Sequence, residues 1–145
     1  MSGPGPQSDD ERDLLEANTT FYRAFAMGDF AAMDALWARH APVACTHPSG
    51  ESLHGRAQVM AAWHALLRGG SGPPIVSRDA TAHLLGETGF VTCIEAVPGG
   101  TLAATNVFAR EEGRFRLVHH HAAPISRPAQ RAPPSKPPPK PPVLN

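Results

Sequence analysis

Cysteine is scarce in this chain of 145 residues, and its placement excludes one common kind of metal site. The two cysteines, Cys45 and Cys93, are far apart and neither belongs to a Cys-x-x-Cys pair, so a zinc ribbon is excluded. Both lie in apolar stretches, and this placement predicts buried free thiols.

Long apolar runs are also missing. No stretch approaches the ~20 apolar residues that a membrane-spanning helix needs. The chain does not open on a basic segment followed by an apolar one, as a secretion signal does. We therefore expect a cytoplasmic protein with no membrane contact.

Acidic residues are absent from residues 127–145, which hold four of the 13 Lys and Arg residues and eight of the 16 prolines. This composition cannot offset the entropy of ordering and predicts a disordered, basic, Pro-rich tail. Residues 1–10 are expected to be flexible and residues 11–126 to form one domain. Residues 1–126 have nine basic residues against 13 acidic ones, and the domain has no basic face, so no nucleic-acid partner is expected.

Two basic-plus-PxxP patterns lie in the tail, one starting at Arg131 and the other at Lys136. Because a polyproline II helix has three residues per turn, the prolines of each pattern share one edge. Such an edge can dock in a proline-recognising groove of a partner. A stiff, solvated linker is the alternative.

The spacing of apolar residues predicts three helices, at residues 10–27, 30–39 and 56–68. Gly28 should end the first helix, and Asp29 should cap the second. Alternation predicts two short strands and then four longer ones joined by short Gly-containing loops. The strands are expected at residues 43–47, 52–54, 75–85, 89–97, 101–110 and 114–122. This order indicates an α+β fold in which helices cover one face of a curved sheet that ends in an antiparallel meander.

Three segments resemble the SnoaL-like branch of the nuclear-transport-factor-2-like superfamily: ANTTFYRAFAMGDFAAMDALWA, VACTHPSGESLHGRAQVMAAW and TLAATNVFAREEGRFRLVHHHAAP. The first segment and the last strand also resemble the calmodulin-dependent kinase II association domain. The resemblance covers about Leu14 to Pro124. It implies a cone-shaped half barrel, in which a strongly curved, mostly antiparallel sheet holds about three helices on its concave side. It also implies a pocket at the open end of the cone and a homodimer formed through the outer sheet face.

The resemblance further implies a small, mainly apolar organic ligand. In this superfamily, ketosteroid isomerase and the polyketide cyclases use a carboxylate or a carboxylate–His pair inside the cone. We therefore expect acid–base proton transfer without a cofactor: isomerisation, cyclisation, dehydration or hydrolysis. No motif places those carboxylates here, and the strand TLAATNVFA offers Asn106 instead. The alternative is a non-catalytic, homo-oligomeric association module with a proline-rich tail.

Three consecutive histidines stand in the last predicted strand. In a regular strand His119 and His121 share the face of Phe115 and Leu117, and His120 lies on the other face. Histidine titrates near neutral pH, so His119 and His121 are candidate proton-transfer residues. Core histidines that hydrogen-bond to nearby strands are the alternative.

A metal site at these histidines would need further ligands, for which His47 and His54 are available. The sequence has no His-x-x-x-His helix motif and no spaced Glu and His that would complete a site. We therefore expect no metal and no cofactor.

Glu95 is the third candidate catalytic residue. Alternation puts it on the face of Val91, Cys93 and Val97, where desolvation should raise the pKa of its carboxyl group. Such a group can act as an acid or a base near neutral pH. Pairing with Arg78 at a sheet edge is the alternative.

Further residues are candidates for contacting a ligand in the cone. The hydroxyl of Tyr22 can bind a substrate oxygen, and Asn106 can act as a second donor. Simple core packing is the alternative for the apolar and aromatic members. The full set is Tyr22, Trp37, Cys45, His47, Trp63 and Asn106.

Overall fold

The computed structural model describes residues 7–48, 50–70 and 74–126. Within them, three helices and six strands follow one another as the periodicity predicts. The elements are α1 (Asp9–Met27), α2 (Phe30–Leu36), β1 (Ala44–Thr46), β2 (Ser52–His54), α3 (Arg56–Leu67), β3 (Val76–Leu85), β4 (Thr88–Val97), β5 (Gly100–Glu111) and β6 (Arg114–Pro124). The predictions for residues 1–6 and for the tail at 127–145 lie outside the described residues.

Local sequence fixes the ends of α1 and the start of α2. The side chain of Ser8 accepts a hydrogen bond from the backbone N–H of Glu11, which satisfies a free donor of the first turn. Gly28 ends α1 in the left-handed conformation, with φ of 62°. Asp29 accepts from Ala32 N at 3.0 Å, so its predicted role as the cap of α2 is confirmed.

Helix α2 ends at Leu36, three residues earlier than the spacing predicts. Trp37 adopts an extended conformation and forms a bridge with Leu117 of β6. The guanidinium group of Arg56 donates to the carbonyl groups of Asp34 and Trp37, at 2.9 Å in both cases. The carbonyl groups at the end of α2 are therefore satisfied by α3 and not by another helical turn.

The six strands form one open, curved sheet in the order β2-β1-β6-β5-β4-β3. All neighbours are antiparallel except β1 and β6, which are parallel. The predicted antiparallel meander is confirmed as β3 to β6. The parallel pair joins the first hairpin to the last strand, and it therefore places β1 beside the three histidines.

A β-bulge interrupts β6 before the histidines. Val107 of β5 pairs with His119, whereas the next residue, Phe108, pairs with Leu117. Val118 is therefore the extra residue. A bulge of this kind puts two residues opposite one and shifts the alternation of every residue that follows.

Because of the bulge, the predicted faces of the histidines are wrong. Phe115 and Leu117 point into the core as expected, but the next buried side chain is His120. His119 is only half-buried and His121 is exposed. The middle histidine, not the outer two, projects from the concave face.

The three helices pack on the concave face and bury one contiguous core. α1 lies across β3, β4 and β6, while α3 contacts β1 and β2. Within the described part of the chain, no helix is long and apolar enough to cross a membrane. The largest side chains of the core are Trp37, Trp63, Phe21, Phe108, Leu14 and Met33.

Candidate functional site

Helix α1 supplies two polar side chains to the concave face of the sheet. Asn18 and Tyr22 are one turn apart, so they lie on the same side of the helix. Both are buried, although most of the neighbouring stripe is apolar. Polar groups at such positions need partners, and the sheet provides them.

Three neighbouring strands supply the partners. On β4, Cys93 and Glu95 alternate inward with Val91, as the sequence predicts. On β5, Asn106 lies directly opposite His120 of β6. Glu95, Asn106 and His120 are each at most 3% exposed.

These residues form one continuous hydrogen-bond network. Asn106 Nδ2 donates to Asn18 Oδ1 at 2.8 Å and to the Tyr22 hydroxyl oxygen at 3.2 Å. The Tyr22 hydroxyl donates to Glu95 Oε2 at 2.6 Å. His120 Nδ1 lies 2.5 Å from Asn106 Oδ1, and His120 Nε2 lies 4.0 Å from Glu95 Oε2. A carboxyl group and an imidazole therefore face each other across a gap that is too wide for a direct hydrogen bond.

Burial disfavours the charged form of each ionisable side chain in this network. Desolvation raises the pKa of Glu95, although the hydrogen bond from Tyr22 lowers it in part. Burial, and to a smaller degree the neighbouring histidines, lowers the pKa of His120 to about 3. Burial also raises the pKa of Tyr22, so its hydroxyl remains a donor at all physiological pH values.

A cavity of about 690 Å³ opens beside Glu95 and His120. Within the described residues its walls are mainly apolar, and the ionisable side chains that reach it are Glu95, His120 and His47. Neither arginine nor lysine lines the described part of the wall. The main apolar side chains are Phe21, Phe25, Leu66, Ile75, Val97 and Leu102.

His47 marks the side of the cavity nearest to β1. Its ring packs on the edge of Trp63, with centroids 4.9 Å apart, and its Nε2 lies 3.6 Å from Cys45 Sγ. Burial lowers the pKa of His47 and raises the pKa of Cys45 to about 12. Cys45 is therefore a neutral thiol beside a neutral imidazole and is not an activated nucleophile.

The structure brings together most, but not all, of the candidate residues. Glu95, Tyr22 and Asn106 share the network, and His47 lines the cavity. Cys45 and Trp63 lie directly behind His47 and contact it. Trp37 is fully buried in the core, away from the cavity. Glu95 does not pair with Arg78, whose register partner on β4 is Ile94.

His119 and His121 lie on the convex face, away from this cavity. His119 Nδ1 is 2.9 Å from Ala44 O, and His121 is exposed. Among the described residues, no cluster of three or more His, Cys, Asp or Glu side chains is arranged to hold a metal ion.

Two members of the network, His120 and Asn18, were not among the sequence candidates. No feature of the sequence predicts the bulge that turns His120 to the opposite face of the sheet. The buried position of Asn18 could have been predicted, because a polar residue in the apolar stripe of α1 indicates a buried hydrogen bond.

An α+β fold with three helices on an open, curved sheet is shared with NTF2-like structures. The chain belongs to the SnoaL-like domain family, which it matches over residues 14–126.

Individual relatives span several kinds of protein. An NTF2-like protein from Streptomyces avermitilis, provisionally designated a dehydratase, is 30% identical with a TM-score of 0.73, over 81% of this chain and 97% of that one. A structure from Thiobacillus denitrificans, provisionally designated a calcium/calmodulin-dependent protein kinase type II association domain, is also 30% identical. Its TM-score is 0.67, over 77% of this chain and 94% of that one. The F-box protein SKIP8 of Arabidopsis thaliana is 30% identical over 114 residues, which are 77% of this chain. The match covers 49% of SKIP8, so the chain spans about half the length of that relative.

Proposed function

We propose that the chain binds a small, mainly apolar organic molecule in this cavity and transfers protons on it without a cofactor. Glu95 and His120 are the acid and the base. The observation that supports this proposal is their geometry: Glu95 Oε2 and His120 Nε2 are 4.0 Å apart, both residues are buried, and both line the cavity. His119 and His121 lie on the convex face, so His120 takes the role first assigned to them.

The electrostatics favour a paired proton transfer. A protonated Glu95 can give its proton to a ligand carbonyl oxygen while His120 Nε2 takes a proton from the adjacent carbon, and the product is an enol. Either step alone leaves one buried charge, which desolvation disfavours. Together they leave a carboxylate facing an imidazolium, which attract each other. An isomerisation is completed when His120 returns its proton to a different carbon of a conjugated enol and the enol hydroxyl returns its proton to Glu95, which re-forms the carbonyl group and restores both residues.

Exchange of ligand protons with solvent provides a direct test. The ketone 2-tetralone has an apolar body and acidic protons next to its carbonyl group. In deuterated buffer, the wild-type protein should accelerate deuterium uptake at that carbon, as followed by proton NMR. Because general acid–base groups contribute roughly 10²–10⁴-fold, Glu95→Gln and His120→Asn should each reduce the rate by about 10²-fold.

The matched control is His121→Asn, which removes a histidine on the exposed convex side and should leave the exchange rate unchanged. Saturable shifts of the cavity residues on addition of 2-tetralone establish binding separately. If 2-tetralone binds but the wild-type protein does not accelerate exchange, the catalytic part of the proposal is wrong and the ligand-binding part remains.

The second candidate function is a non-catalytic, homo-oligomeric association module, and the Thiobacillus denitrificans relative is designated an association domain. The supporting observation is the convex sheet face, where Phe90 and Ile94 of β4 and Val107 of β5 are half-exposed. No helix of the described chain covers that side. Docking of the proline-rich tail in a partner's groove belongs to the same candidate and lies outside the described residues.

Light scattering after size-exclusion chromatography tests this candidate. We expect a dimer, and Val107→Arg on the convex face should produce a monomer that still binds 2-tetralone. Ala61→Arg, at an exposed position of α3, is the control and should remain dimeric. A monomeric wild-type protein would contradict the association function.

A further inference from the structure

When the Tyr22 hydroxyl donates to Glu95, the donor and the acceptor of the other hydrogen bonds in the network are also fixed. The Tyr22 hydroxyl has a single hydrogen, so towards Asn106 its oxygen must accept. The group of Asn106 that faces Tyr22 is therefore its Nδ2 amide, which lies 3.2 Å from the hydroxyl oxygen and also donates to Asn18. The other end of the amide, Oδ1, then faces His120.

This orientation determines the tautomer of His120. Asn106 Oδ1 can only accept, and it lies 2.5 Å from His120 Nδ1, so Nδ1 must carry the hydrogen. In a neutral imidazole the other nitrogen, Nε2, is then a bare acceptor. Its nearest carboxylate oxygen, on Glu95, is 4.0 Å away and outside hydrogen-bond distance.

The cavity thus presents an acceptor that no described residue satisfies. His120 is 3% exposed and lines the cavity, so a molecule bound in the cavity can reach Nε2. When a ligand displaces water from the cavity, an acceptor left without a partner is costly, and a ligand that donates a hydrogen bond to Nε2 avoids this cost. A ligand that lacks a donor at this point leaves the cost in place.

The charges around the cavity disfavour ionic ligands. An anion would leave water and find no arginine or lysine on the described walls, and the lone pair of Nε2 repels it. A cation could bind only by ionising Glu95 inside an apolar wall. An uncharged hydroxyl group incurs neither cost.

We propose that Asn106 is a positioning residue, which fixes His120 with its hydrogen on Nδ1, and that the cavity therefore selects uncharged apolar molecules carrying a hydroxyl group. This inference rests on the proposed function, because the ligand occupies the same cavity. It names the class of molecule that binds most tightly: an alcohol or phenol whose hydroxyl donates to His120 Nε2, whereas a ketone such as 2-tetralone, which has no donor for Nε2, should bind more weakly.

Four probes with the same apolar body test the ligand class: 2-naphthol, 2-fluoronaphthalene, 2-naphthoate and 2-naphthylmethylammonium. Affinities are measured by NMR titration of the full chain at neutral pH. We expect 2-naphthol to bind about tenfold more tightly than 2-fluoronaphthalene, because it donates a hydrogen bond that the fluoro compound lacks; tenfold corresponds to about 1.4 kcal/mol. Both ions should bind more weakly than 2-naphthol.

The outcomes separate this inference from the proposed function. If 2-fluoronaphthalene or either ion binds as tightly as 2-naphthol, the selectivity for hydroxyl groups is wrong, although the cavity still binds ligands. If none of the four probes binds, the ligand-binding proposal is itself overturned, and the selectivity fails with it.

The tautomer is tested without any ligand, by nitrogen NMR of the histidine rings. We expect His120 to show a protonated Nδ1 and a bare Nε2, and 2-naphthol to shift the Nε2 resonance. His119 is an internal reference, because its Nδ1 faces the carbonyl oxygen of Ala44 at 2.9 Å and must also carry a hydrogen. A protonated Nε2 on His120 in the wild-type protein would overturn the inference.

Asn106→Leu removes the acceptor that holds His120 Nδ1. We expect His120 to lose its single tautomer, the 2-naphthol affinity to fall about tenfold, and His119 to remain unchanged. A folded Asn106→Leu variant in which His120 keeps the same tautomer would show that Asn106 does not position it. If this variant does not fold, the wild-type tautomer and the probe affinities decide the matter alone.

Discussion

The Tyr22 hydroxyl and Glu95 Oε2 are joined by a 2.6 Å hydrogen bond between α1 and β4, across 73 positions of the chain. This bond fixes the direction of the whole network, because it uses the single hydrogen of Tyr22. It also favours the ionised form of Glu95 against the desolvation that opposes it. A residue of α1 therefore influences the ionisation of a residue of β4.

The first prediction is that Tyr22→Phe raises the pKa of Glu95 further, because the hydrogen bond that lowers it is lost. The free energy of unfolding should fall by about 1 kcal/mol, the typical net value of one hydrogen bond. NMR titration of the Glu95 carboxyl carbon measures the first effect and urea denaturation the second. Thr19→Val also removes a hydroxyl from α1, but that hydroxyl bonds to the carbonyl of Leu15 on the exposed side, so Glu95 should not respond. A lower pKa in Tyr22→Phe would contradict this account.

Glu95→Gln should become more stable relative to wild type as the pH rises. Because the folded pKa of Glu95 is raised, its carboxyl group contributes stability below the unfolded pKa of about 4.5 and loses it as the pH rises through the folded value. Glutamine has no such transition. Urea denaturation between pH 4 and 8 should therefore show a growing difference that levels off above the folded pKa. Glu51→Gln, at an exposed position, is the matched control. A difference that shrinks with rising pH would contradict the direction of the shift.

His120 should produce the opposite pH dependence. Its folded pKa is lowered from 6.5 to about 3, so the stability that it contributes is present above pH 6.5 and is lost as the pH falls towards 3. One such group gives a slope of up to about 1.4 kcal/mol per pH unit in that window. His120→Asn should remove this slope from the unfolding free energy, whereas His121→Asn on the exposed face should retain it. Equal slopes in the two variants would show that His120 is not held neutral by burial.

Glu95 and His120 also show how far a sequence predicts such a site. β4 alternates without interruption around Glu95, so its face and its apolar surroundings could be predicted. The face of His120 could not, because the extra residue at Val118 arises from the pairing of β6 with β5. Pairing register depends on contacts across the sheet, which a local pattern does not contain.

The network itself was also beyond prediction, although Tyr22, Glu95 and Asn106 were all candidates. Their hydrogen bonds join residues that are 73 and 84 positions apart, and the distances depend on how α1 lies on the sheet. The early end of α2 has the same origin, since Arg56 of α3 satisfies the carbonyl of Trp37. Local periodicity predicted the elements, whereas contacts between elements set their ends and the site.

Gly89 tests the packing that holds α1 on the sheet. A Cβ added there would lie 2.7 Å from Leu14 Cδ2 and 3.2 Å from the carbonyl oxygen of His83. Leu14 is fully buried and the carbonyl belongs to the neighbouring strand, so neither can move away easily. Gly89→Ala should lower the unfolding free energy by about 1–3 kcal/mol, as other overpacked cores do.

Gly100→Ala is the matched control, because a Cβ at that strand position meets no atom within 4 Å. Leu14→Ala alone should cost about 2–5 kcal/mol through the cavity that it leaves. In the double variant the new methyl group at position 89 occupies part of that cavity. The double variant should therefore lose less unfolding free energy than the two single variants together. Urea denaturation of the four proteins completes this cycle. Strict additivity would show that Gly89 and Leu14 are not in contact and that α1 is held on the sheet by other residues.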